Sequence, residues 1–266
     1  LSSDQLVAIE TTDIQALKTS QLATLATSTV AALSTDQIQA LLTSQLGALG
    51  TNSVRALTTD QVVALTTDQV TGLNTRTVQA LSTEAITALT TGQIEVINTA
   101  GLAALTTSQV KALSTDAVIA LSTYQVANLT TGTMAALSTA QVAAIETTDI
   151  QALSTKQLAG LATGTVSALT TDQVIALTTY QVGNLSTATL KALSSDQIAA
   201  IETTDIQVLT TGQLAGLATS TVAALTTDQV VALTTYQIGN LSTATLKALS
   251  SDQLVAIETT DIQALK

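Results

Sequence analysis

The side chains in this sequence that could do chemistry are hydroxyls and carboxylates. Ser and Thr recur throughout, often directly before an acid, as in Ser3-Asp4, Thr59-Asp60 and Thr67-Asp68. A hydroxyl becomes a useful nucleophile only beside a base, and the chain has no His to act as one and no Cys to supply a thiolate. An Asp–Ser pairing is conceivable in many places, but capping of helix starts accounts for every copy of the pattern. No catalytic residue, cofactor site or metal site is assigned, and the sequence reads as that of a non-enzyme.

Two further constellations stand out. Glu10/Asp13, Glu146/Asp149, Glu202/Asp205 and Glu258/Asp261 repeat as Glu-Thr-Thr-Asp and could suggest Ca²⁺. The EF-hand spacing and the glycine-rich Asp nonapeptide are both missing, so these acids read as first-turn helix residues. Tyr124, Tyr180 and Tyr236 are the only aromatics, and exposed Tyr is favoured at interfaces, which makes them the candidate contact residues.

The elements that must position these groups are all one unit, typified by LTTDQVVA at residues 57–64. Counting in eights from Leu1 to Leu265 always lands on Leu or Ile, giving 33 octads without insertion or deletion. With octad positions labelled a to h, a is Leu or Ile and f is Val, Ile, Leu or Met. Position c is Thr apart from Ser3, Ser195 and Ser251, and h is usually Ala. Positions a, f and h therefore read as core.

Period eight matches neither a continuous helix nor a simple strand, so something interrupts the backbone once per octad. With b as N-cap, Ser/Thr-Thr-x-Gln is a capping box, and a and f form the hydrophobic staple around it. Thr at c is the rival N-cap, favoured by octads such as Ile9-Glu10-Thr11-Thr12-Asp13. Acids gather at b, d and e, whereas Arg55, Lys111, Lys191 and Lys247 lie at g, the polarity a helix dipole prefers.

Each octad is thus expected to form a helix of about one and a half turns, too short to survive alone where isolated helices under ~12–15 residues are marginal. Stacking is required, and the fold class expected is an all-α solenoid of short helices, one per octad. With two octads per coil at the usual helix spacing of ~10 Å, the array would be a long rod. The alternative is a β-solenoid of three octads per coil, disfavoured because a and f differ by an odd number and one strand cannot point both inward.

A second period overlies the first. Residues 145–200 and 201–256 are near copies, and the tyrosines follow the same 56-residue spacing, each with Asn four residues later. The chain lacks Pro and has few Gly, so residues 1–266 are expected to be one continuous array, and the absence of terminal capping sequence favours a place in a longer one.

A net charge of −11 would repel nucleic acid and anionic lipid. Apolar runs such as Leu6-Val7-Ala8-Ile9 are short, so nothing here inserts into a membrane.

The string LTTDQVVAL at 57–65 resembles the first-helix LTPxQVVAI of transcription-activator-like effectors, over one octad only; their longer period and basic balance are missing. It supports a helix and no DNA binding. Over the whole chain, runs of L-[ST]-T-x-Q-[VIL]-x-A look like the octapeptide arrays of very long bacterial surface proteins, often labelled adhesin-like or haem-utilisation-like. The resemblance implies export to the extracellular space or cell surface, with a spacer or fibre role; without His, the haem label has no support here. The function expected is structural: a self-associating fibre or an adhesin stalk. The alternative is a binding module whose solenoid face captures a surface polysaccharide or a protein.

Overall fold

The computed structural model describes residues 3–265. Among these residues each octad forms one α-helix of 4–6 residues, from α1 (Ser3–Val7) to α33 (Thr259–Ile262), and no strand is present. The fold is all-α, and the β alternative falls with the absence of strands.

Every helix begins at c, so the N-cap is b and Thr at c is the first helical residue. Thr58 is extended (φ −74°, ψ 161°), its Oγ1 accepts the amide of Gln61, and Gln61 Oε1 accepts the amide of Thr58. The rival assignment of the cap to c is overturned even in the Glu-Thr-Thr-Asp octads. There Glu10 is the extended N-cap, although its side chain makes no capping bond.

The helices end without help from glycine, since no described residue has positive φ. Leu65, at a, closes the last turn by donating to Val62 O at 3.2 Å and then itself turns extended (φ −56°, ψ 131°). Two consecutive extended residues, a and b, therefore form each corner.

The chain splits into two compact units, Leu1–Ala136 and Leu137–Lys266. In the first, α4 (Thr27–Ala31) packs on α1, α5 (Thr35–Ala40) on α2 (Thr11–Ile14) and α8 (Thr59–Ala64) on α5. In the second, α25 (Ser195–Ala199) packs on α22 (Thr171–Ile175), α26 (Thr203–Ile206) on α23 (Thr179–Gly183) and α29 (Thr227–Val231) on α26. Within each unit the architecture is a helical solenoid in which a helix stacks on the one three octads before it.

A coil is therefore three octads, or 24 residues, and not the two expected for stacked helices. Two helices per coil would need a full reversal at each junction. The extended a–b corner turns the chain only part of the way, so three corners are needed to close a coil.

The core also differs from the a, f, h pattern. Positions a, e and f are buried, as in Leu33, Gln37 and Ile38, while h is usually only half-buried, as at Ala40. Gln can occupy an interior position because every polar atom on it is bonded, as described below. The first coil shows which way each position faces. Gln5, Asp13 and Gln21 at e are exposed there while Leu6, Ile14 and Leu22 at f are buried, so e faces the preceding coil and f the following one.

Candidate functional site: glutamine brackets and a buried aspartate

The recurrent polar site of this molecule is the corner where Gln at e meets the coil before it. In the first unit, Gln61 Nε2 donates to Val30 O at 2.9 Å, Leu33 O at 2.8 Å and, more weakly, Ala31 O at 3.4 Å. In the second, Gln229 Nε2 donates to Ile198 O at 2.8 Å, Ile201 O at 2.7 Å and Ala199 O at 3.3 Å. The same pattern recurs at Gln37, Gln69, Gln93, Gln173 and Gln237.

The chemistry of this arrangement is structural. A short helix leaves most of its terminal amides and carbonyls without intrahelical partners. One Gln serves both ends: its Oε1 accepts an N-terminal amide of its own helix, and its Nε2 donates to carbonyls at the C-terminal end of the helix four octads before and to the a carbonyl that follows it. The capping box is legible in the sequence, but the bracket between coils is a finding of the structure. Its sequence signal is that e is never Glu. A capping box accepts Glu or Gln alike, whereas carbonyls require the amide donor.

Where e is not Gln the bracket weakens. Ser53 Oγ reaches a single carbonyl, Leu25 O, at 3.1 Å. With small Ala26 and Gly50 at neighbouring b positions, a shallow depression of about 480 Å³ opens there. Thr189 turns back to Ser186 Oγ at 2.8 Å.

The Glu-Thr-Thr-Asp acids do not act as a pair. Glu202, the N-cap, points to solvent, while Asp205 at e is only 2% exposed and its Oδ1 is buried without a hydrogen-bond partner. Asp149 and Asp261 are also buried, and Asp13, in the first coil, is exposed. Among the described residues no three Asp or Glu gather closely enough to hold a metal on carboxylates alone. Exposed Glu84, at d, has its carboxyl pKa held below the usual Glu value, chiefly by its own backbone N–H and then by the Ser82 and Thr83 hydroxyls.

The candidate interface residues Tyr124, Tyr180 and Tyr236 are exposed by 71%, 72% and 73%. The Asn four residues on bonds back to the tyrosine's own helix, with Asn184 Nδ2 donating to Tyr180 O at 2.8 Å and Asn240 Nδ2 to Tyr236 O at 2.7 Å. Their 56-residue spacing is seven octads, or two coils and one octad over, so Tyr180 and Tyr236 stand in different columns of the second unit. Tyr236 also borders a depression of about 530 Å³ with Thr235, Gly239, Asn240 and Ala264. No helix among the described residues is long and apolar enough to cross a membrane.

One family model, the ALTTAQ repeat, matches the chain seven times, at residues 6–43, 40–75, 94–131, 142–179, 179–211, 198–235 and 235–266. The chain belongs to the ALTTAQ repeat family. Its matches span several octads each, which fits repeats that cannot bury their apolar faces singly. No curated protein matches the sequence.

Proposed function

We propose that this ALTTAQ-repeat protein is a structural, self-associating element of the extracellular space or cell surface, serving as a fibre subunit or an adhesin stalk. The observation that carries this reading is the stacking itself: within each unit a coil turns its f side to the following coil and its bracketing e side to the one before, so coils of this kind are built to receive one another. In the last coil Leu254 and Ile262, at f, are 42% and 45% exposed, although f residues elsewhere are almost wholly buried. In the first coil Gln5 and Gln21 at e are exposed, and Ile9, Leu17 and Leu25 at a are half-buried. Inside each unit these are the two faces that pack together. A further coil of the same kind, from more of the same polypeptide or from a second copy, would cover them.

The chain has no His or Cys, and its conspicuous polar groups are engaged in holding coils together. The surface location rests on the likeness to octapeptide arrays of bacterial surface proteins. A binding role for a polysaccharide or protein is the second reading, favoured by exposed Tyr236 beside its depression.

Electron microscopy and sedimentation velocity of the purified chain across a concentration series test the proposal. Filaments or head-to-tail oligomers that lengthen with concentration, and that Leu254→Asp with Ile262→Asp shortens, are expected. Single particles at every concentration would refute self-association and leave the stalk or binding reading.

A further inference from the structure

Beyond any self-association, the buried carboxylate of Asp205 has an oxygen without a hydrogen-bond partner. Asp205 occupies position e, where Gln229 in the same unit sends Nε2 onto carbonyls 31, 30 and 28 residues earlier. Counting back the same intervals from Asp205 gives Val174, Ile175 and Leu177. The helix carrying them, α22, ends with Ala176 at φ −73°, ψ −12°, close to the φ −81°, ψ −13° of Ala200 at the end of α25, whose carbonyls Gln229 binds. The two corners thus present their carbonyls alike, and α26, which carries Asp205, packs on α23 just as its neighbours pack on theirs.

Toward the preceding coil a carboxylate in that place meets only carbonyl acceptors. It is one methylene shorter than Gln, so its oxygens stop short of the point where Nε2 would sit. Oδ1 is buried without a hydrogen-bond partner. Leaving a buried carboxylate uncompensated is costly. A water molecule could donate to two of the four oxygens, whereas a cation at the Nε2 point would satisfy all of them.

We propose that Asp205 and the carbonyls of Val174, Ile175 and Leu177 form an intercoil site for a hard monovalent cation of the K⁺ or Na⁺ class. The donor set is all oxygen with a single negative charge, which a monovalent ion neutralises. Nε2 lies 2.7–3.3 Å from the carbonyls in the equivalent Gln229 corner. That is wider than the ~2.0–2.1 Å that Mg²⁺ demands and the ~2.3–2.6 Å of Ca²⁺. Asp261 repeats the arrangement one block later toward Val230, Val231 and Leu233, and is 7% exposed.

The test uses the whole chain. Thermal unfolding is followed by circular dichroism in KCl, NaCl and tetramethylammonium chloride at equal ionic strength, for wild type, Asp205→Gln, Asp205→Asn and the surface-charge control Asp228→Asn. The wild type and Asp228→Asn should unfold at least about 2 °C higher in K⁺ or Na⁺ than in tetramethylammonium. Both Asp205 variants should show a smaller difference, and Asp205→Gln, which restores the amide donor, should be the most stable in tetramethylammonium. Crystals soaked in RbCl should give an anomalous peak beside Leu177 O that Asp205→Gln abolishes. Equal salt responses in wild type and the Asp205 variants, or only a water at that point, would overturn the assignment.

Discussion

Replacing Gln229 distinguishes a bracket that donates from one that only fills space. Gln229 is 1% exposed, accepts the Thr226 amide through Oε1 at 2.9 Å and donates to three carbonyls of the preceding coil. Gln229→Ala removes these bonds and leaves the Ile198 and Ile201 carbonyls without the side-chain donor. At about 1 kcal/mol per net hydrogen bond, and about 1–3 kcal/mol for a stranded buried polar group, the loss should be about 2–4 kcal/mol. Gln229→Glu keeps the size and the capping acceptor but turns the donor toward the carbonyls into an ionised acceptor. It should cost more than alanine, on the order of 3–5 kcal/mol, because the charge is buried without a partner. Urea unfolding at neutral pH, followed at 222 nm, measures the order of the two variants. Acidification should narrow the gap, since a protonated carboxyl can donate again. A Gln229→Glu variant as stable as wild type, or more stable than Gln229→Ala at neutral pH, would refute the donor role.

Three smaller effects follow from the same corners. Thr226→Ala should cost about 1 kcal/mol by removing the hydroxyl that caps Gln229 N at 3.1 Å, while Ala218→Ser, at a b position with no side-chain cap, should stabilise by several tenths of that in urea titrations. Ile206→Ala, at a wholly buried f, should cost about 2–5 kcal/mol, whereas Val231→Ala, at a g position 47% exposed, should stay within about 0.5 kcal/mol. The Glu84 carboxyl should titrate by NMR below a Glu in an unstructured peptide, with Ser82→Ala moving it back. Because its folded pKa is depressed, its small stabilisation is present above the unfolded value and disappears as pH falls through the folded one.

The helix and its stacking are legible in the sequence because Ser/Thr at b, Gln at e and the a–f staple all act within a single octad, while the choice of b over c as N-cap comes from the structure. Coil size is not, because identical octads carry no mark of which neighbour they touch. The burial of e is hidden for a related reason: an amide looks like a surface group until its carbonyl partners, 28–31 residues away, are known. Asp205 shows the consequence. In sequence it pairs with Glu202 as a first-turn acid, while in the fold Glu202 faces solvent and Asp205 lies between coils. The tyrosine spacing records copying of whole octads rather than a turn of the solenoid. Seven octads do not divide by three, yet the stack tolerates the mismatch because each octad closes its own corner.

The three-octad coil is tested most directly by a disulfide, because the chain has no cysteine to interfere. A Cβ built at Gly216 would lie 3.5 Å from Thr187 Cβ, one coil earlier, at the short edge of the ~3.5–4.5 Å that disulfides span. Air oxidation of Gly216→Cys with Thr187→Cys, read by gel mobility and by mass spectrometry of the linked peptides, should give rapid and complete intramolecular bridging. Gly216→Cys with Ser195→Cys, the pair that a two-octad coil would bring together, should remain reduced. Bridging of the second pair and not the first would contradict the coil, and with it the register of every glutamine bracket.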